Sequence, residues 1–149
     1  MNPSSTRLHF HEDATALRFD GGYNVTLPVG PAGLARNALR HDPPTPAELE
    51  RAIDFVEEAL TRSRLAHGAR GELVTSDPAL LGLPGLDTTD ASLTRHDVEA
   101  LFQSLASRAL GMPASAAGSP QGRELAAALI ILRECMHHLG FDRVRADAA

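Results

Sequence analysis

The stretch that decides the fold of this 149-residue chain is Pro120-Gln-Gly-Arg-Glu-Leu-Ala-Ala-Ala-Leu-Ile-Ile-Leu-Arg-Glu-Cys-Met-His-His-Leu139. Apolar side chains occupy nearly every face of this stretch for two helical turns. A helix that is apolar all round has to be buried on several sides. The sequence therefore predicts a central helix over residues 120–139, which Gly140 ends in the usual glycine position after a helix.

Two further helices are marked by their first turns. Thr45-Pro46-Ala47-Glu48 is a capping box with proline at the first helical position, and the helix should run to about Arg64. Its apolar stripe is Leu49, Ile53, Val56 and Leu60, and its solvent side is Glu50, Asp54, Glu57 and Glu58. Thr94 caps the other helix, over about 95–110. A short helix over 32–40 is an additional option.

Residues 7–29 alternate between apolar and polar side chains with period two, which is typical of half-buried strands. Gly21-Gly22 indicates a hairpin between the second and third strands, and residues 12–14 can turn the first strand into the second. The sequence thus predicts a three-strand meander. Short strands are also indicated over 72–75 and 141–145.

These elements predict a single α+β domain over residues 7–145, between a disordered lead at 1–6 and a frayed tail at 146–149. Its small, mostly antiparallel sheet should carry about three helices on one face, with the last helix in the centre.

The composition excludes several classes of function. The net charge of −5 argues against nucleic-acid binding. Because the chain has no lysine, Schiff-base chemistry and a P-loop lysine are excluded. The longest apolar run, Leu125–Leu132, is far too short to span a membrane. One cysteine and no secretory signal favour a cytoplasmic protein.

The last turn of the central helix gathers four side chains that can bind metals. Glu134 and His138 share a helix face, and Glu134 with His137 has the E-x-x-H spacing of carboxylate-bridged iron sites. Cys135 with His138 is another feasible pair. The alternative interpretation is a helix end, since histidines interact well with the last carbonyl groups of a helix and Cys135 can be a small buried apolar residue.

His9 and His11 form a second candidate metal pair, because alternate residues of a strand point to one face. The alternative is a solvated face of the sheet. Arg36, Arg40 and His41 precede a helix and could hold an anion, or simply be a solvated loop. Ser76-Asp77 lacks the surroundings of a nucleophile elbow.

Residues Ala79–Leu86 form an apolar loop that either covers the core or contacts a partner. No catalytic group is complete, so the sequence favours a non-catalytic cytoplasmic accessory or protein-interaction domain that forms a homodimer. This interpretation expects no cofactor. The alternative is a metal-binding protein or metal-dependent hydrolase that holds zinc or iron with Glu134, His137 and His138, and with His9 and His11.

Overall fold

The computed structural model describes residues 5–112 and 122–147. The strands are β1 (Ser5–Phe10), β2 (Thr15–Arg18), β3 (Asn24–Leu27), β4 (Gly71–Thr75), β5 (Ser92–Thr94) and β6 (Phe141–Ala146). The helices are α1 (Pro31–Ala38), α2 (Pro46–Ser63), α3 (Pro78–Leu81), α4 (Arg95–Ala109) and α5 (Arg123–Leu139). The meander, the two capped helices and the C-terminal helix are therefore confirmed.

Within the described residues, six strands form one mixed sheet in the order β3-β2-β1-β4-β6-β5. The central strands β1, β4 and β6 run parallel to one another, whereas β2, β3 and β5 pair antiparallel to their neighbours. The prediction of a mostly antiparallel sheet packed by three helices is wrong in strand direction and in the number of elements. Side-chain periodicity shows which residues face inward but carries no information about which distant strand becomes the neighbour.

One face of the sheet is buried beneath helices. On β1 the buried side chains are Thr6, Leu8 and Phe10, and the exposed ones are Ser5, Arg7 and His9. Helix α5 contacts α1, α2, α3, α4 and β6, and its residues 127–132 have no exposed surface. The predicted central position of this helix is confirmed. In residues 5–112 and 122–147, no helix is long and apolar enough to cross a membrane.

The structure differs from the predicted boundaries at several points. Strand β1 begins at Ser5, inside the predicted lead, and β6 extends to Ala146, inside the predicted tail. Helix α5 begins at Arg123, and Pro120, its predicted start, lies outside the described residues. Strand β5 escaped prediction because three residues are too few to show a period.

The apolar segment 79–86 packs inward. Leu80, Leu83 and Leu86 are fully buried, and Asp77 caps the short helix α3 with a hydrogen bond from the Ala79 N–H. A partner contact through this segment stays a prediction, and it would have to use the half-buried Leu81 and its exposed neighbours.

Glu48 joins the start of α2 to the preceding loop. Its carboxylate accepts hydrogen bonds from the backbone N–H groups of Thr45 and Arg40, and it contacts His41 Nδ1 at 2.9 Å. Burial alone would raise the pKa of Glu48, but these hydrogen bonds outweigh burial and lower it to about 2. The carboxylate therefore stabilises the fold in its charged form.

We expect Glu48→Gln to lower the free energy of unfolding at pH 7 by about 1 to 2 kcal/mol, the usual cost of a lost cap. Because the folded-state pKa lies below the unfolded value, the contribution is complete above pH 4.5 and disappears as the pH falls towards 2. Urea unfolding of both proteins from pH 7 to pH 3 would measure this. A difference that stayed constant over that range would contradict the assignment.

Candidate metal centre

A pocket of about 460 Å³ lies where the end of α5 meets the start of α4 and the middle of α2. Its lining contains both acidic and basic side chains. Its lining consists of Glu57, Arg95, His96, Val98, Glu99, Arg133, Glu134, Met136 and His137. We call it the α4–α5 pocket.

Glu57, Glu134 and His138 form a cluster beside this pocket. One ligand atom of each, a carboxylate oxygen or a ring nitrogen, lies within 4.8 Å of the other two. Glu134 Oε1 lies 3.7 Å from His138 Nε2, which is the contact expected for two residues four apart on a helix. Two carboxylates and one imidazole at this spacing could hold a divalent cation after small side-chain movements.

Glu134 is the buried member of the cluster, with only 3% of the residue exposed. Burial raises the pKa of Glu134 to about 7, the charge of Arg133 opposes this, and a hydrogen bond with Glu57 adds to it. Glu134 therefore keeps its proton to a higher pH than an exposed glutamate does, and its side chain forms a hydrogen bond with Glu57.

Arg133 lies next to Glu134 and makes an ion pair with it. Arg133 NH1 donates to Glu134 Oε2 at 2.8 Å, and Arg133 Nε donates to Glu99 Oε2 at 2.6 Å. The guanidinium group lies over the Phe102 ring, 3.9 Å from its centre. These contacts balance part of the negative charge at the cluster.

Of the predicted ligands on α5, His138 and Glu134 come together, whereas His137 does not join them. His137 lines the α4–α5 pocket, and its ring lies edge-on to the ring of His138 with centres 5.6 Å apart. Cys135 is fully buried, and burial raises the pKa of its thiol to about 12. A neutral buried thiol does not act as a metal ligand or nucleophile.

The other predicted pair, His9 and His11, lies elsewhere. The two rings are edge-on with centres 5.0 Å apart, and His9 Nδ1 lies 3.3 Å from the buried carboxylate of Asp77. Within the part of the chain that the structure describes, neither histidine belongs to a group of three candidate ligands. The His9–His11 pair is therefore separate from the cluster on α5.

Of Arg36, Arg40 and His41, the predicted anion-binding residues before the helix that Thr45 caps, two have acidic partners. Arg36 pairs with Asp13, and His41 contacts Glu48. Asp77, instead of serving a nucleophile, accepts a hydrogen bond from the Phe10 N–H and so joins β1 to the end of β4. Arg36, His41 and Asp77 therefore each have a partner within the fold.

Glu57 is a candidate ligand that the sequence pattern did not indicate. It was assigned to the solvent side of its helix, yet it is half-buried against the end of α5. Spacing within one helix cannot reveal it, because the other two ligands come from a helix about 80 residues further along the chain.

Comparison with known proteins places the fold in one structural class. No family model and no curated protein matches the sequence. Solved structures do match: the Aquifex aeolicus Ppx/GppA enzyme is 16% identical with a TM-score of 0.74, over 99% of this chain and 54% of that chain. An exopolyphosphatase from Cytophaga hutchinsonii is 12% identical with a TM-score of 0.66, again over 99% and 54%.

These matches show the fold: the chain has the mixed α+β fold of a Ppx/GppA domain and spans about half the length of those proteins. They contradict the prediction of a non-catalytic accessory or interaction domain, because the proteins that share the fold are phosphatases and exopolyphosphatases. The spacing of residues in the sequence did not indicate the likeness to these enzymes. The identity to them is low, and the sequence contains no complete catalytic motif.

Proposed function

We propose that this chain is the metal-binding part of a metal-dependent phosphohydrolase, with Glu57, Glu134 and His138 as the metal ligands. The observation that carries the proposal is the cluster itself: two carboxylates and an imidazole meet within 4.8 Å at the edge of a pocket. The resemblance of the fold to Ppx/GppA phosphatases supports the hydrolase class.

The ligand set favours a transition-metal ion. Imidazole suits zinc and iron, and carboxylates suit manganese and magnesium, so a mixed set favours zinc, iron or manganese over calcium. Three protein ligands are the number found in catalytic sites, which leave a position open. When bound, such a cation would polarise a phosphoryl oxygen and lower the pKa of a water molecule.

The remaining pocket residues suit an anionic substrate. Arg95, His96 and His137 are exposed and line the same pocket as the buried Glu134. Arginine and protonated histidine bind phosphate oxygens through charge-assisted hydrogen bonds. We therefore propose a phosphate ester or polyphosphate as substrate, oriented by these three side chains.

The proteins with this fold are about twice as long as the matching region, so a second polypeptide segment should complete the enzyme. We propose that a second copy of this chain, in the predicted homodimer, could supply that segment. We also propose that the protein acts in the cytoplasm. Light scattering of the purified protein would measure self-association.

The test is elemental analysis of tag-free protein together with a phosphatase assay. We expect about one equivalent of zinc, iron or manganese in the wild type and in Glu124→Ala, and none in Glu134→Ala. Glu124 is a matched control because it lies on the same helix, is exposed and is remote from the cluster. Phosphate release from polyphosphate or p-nitrophenyl phosphate should depend on the metal and disappear in Glu134→Ala.

Two results would contradict the proposal. Wild-type protein that remains free of metal after incubation with each of the three ions has no site at the cluster. Phosphate release that survives in Glu134→Ala would place the chemistry elsewhere in the molecule.

A further inference from the structure

Arg133 is fixed on three sides before any ligand arrives. Its Nε and NH2 groups donate to the two oxygens of Glu99 at 2.6 and 3.2 Å, and its NH1 group donates to Glu134 Oε2 at 2.8 Å. The flat face of the guanidinium group lies over Phe102. Because the arginine fork has one rigid geometry, these contacts leave it one position.

This position also determines how Glu134 is oriented. Its Oε2 atom is occupied by Arg133, while its Oε1 atom is the one near His138 Nε2. We propose that Arg133 is a positioning residue, which holds Glu134 so that Oε1 faces the cation site. This inference rests on the proposed metal centre and adds the residue that orients its buried ligand.

A positive charge beside a cation site would normally weaken binding, and Glu99 explains why it need not do so here. Arg133 pairs with Glu99 as well as with Glu134, so the three carboxylates of Glu57, Glu99 and Glu134 outnumber its single positive charge. Besides this charge, Arg133 has a geometric effect on Glu134. Partners that orient a metal ligand typically change metal affinity by about 10- to 100-fold when they are removed.

The experiment is a titration of the metal-free protein with Co²⁺, followed by the visible absorption of the bound ion, for wild type, Arg133→Met and Arg133→Lys. We expect Arg133→Met to bind about 10- to 100-fold more weakly and to change the absorption spectrum, because Glu134 then has no fixed orientation. Arg133→Lys should recover part of the affinity, since an ammonium group can hold one carboxylate oxygen but not both neighbours.

Arg145→Met is the matched control. Arg145 also joins two carboxylates, those of Glu72 and Asp90, but it does so on β6, away from the cluster. This variant should bind Co²⁺ with the wild-type affinity and spectrum. Circular dichroism of all variants would show that the fold is retained.

The outcomes separate the two proposals. If Arg133→Met binds Co²⁺ as tightly as wild type does, or more tightly, the positioning role is wrong and the proposed metal centre is unaffected. Wild-type protein that binds no Co²⁺ overturns both. If Arg133→Met unfolds, the affinity and spectrum of the more conservative Arg133→Lys decide the question.

Discussion

Glu134→Gln should abolish tight binding of a divalent cation and remove a pH-dependent loss of stability from the metal-free protein. Gln keeps the size of the side chain and an oxygen that can accept from Arg133. It cannot supply the negative charge that the proposed cation site needs, and it cannot titrate.

The direction of the pH effect follows from the raised pKa. Between pH 4.5 and about 7 the folded protein retains the proton of Glu134, whereas the unfolded chain has released it. Stability therefore falls as the pH rises through this interval, and the loss is complete above pH 7. A rise from 4.5 to about 7 corresponds to roughly 3 kcal/mol.

The measurement is urea unfolding at pH 5 and pH 8, with and without metal. Between pH 5 and pH 8, the free energy of unfolding of metal-free wild type should fall by about this amount relative to that of Glu134→Gln. Metal at about 100 times its dissociation constant should then stabilise the wild type by about 2.7 kcal/mol and leave the variant unchanged. Glu124→Gln, an exposed change on the same helix, should behave as wild type. Equal pH dependence in wild type and Glu134→Gln would show that Glu134 ionises normally.

Gly140→Ala should be the most destabilising single change at the end of α5. Gly140 has φ +89°, which side chains rarely adopt, and an added Cβ would lie 1.7 Å from the carbonyl oxygen of Gly68. The strain of the left-handed backbone and the clash each cost about 1 to 3 kcal/mol, so we expect a total of roughly 3 to 5 kcal/mol. The clash is with backbone that is itself tied to α5, since the Gly68 N–H donates to the Leu139 carbonyl.

Gly22→Ala separates the two causes. Gly22 has φ +88° in the turn between β2 and β3, and an added Cβ there would meet nothing within 4 Å. It should cost only about 1 to 2 kcal/mol, the price of the left-handed conformation alone. Thermal or urea unfolding of both variants measures the difference. Similar values for the two would show that the contact between Gly140 and Gly68 is loose.

The local elements were predictable because their signals lie close together in the chain. The capping box of Thr45 and Glu48 and the cap at Thr94 both form as their sequences indicate. The pattern on α5 likewise predicted its central position. The pairing of Glu134 with His138 belongs to the same group, since both residues lie on one helical face.

The sequence by itself determined where the helices and most strands lie, which faces are apolar, and that one helix end carries potential metal ligands. Only the tertiary structure decided that β1, β4 and β6 are parallel neighbours and that Glu57 joins Glu134. It also separated His9 and His11 from that cluster. The physical reason is range: capping and side-chain periodicity act over a few residues, whereas strand order and contacts between helices depend on how distant segments bury their apolar faces together.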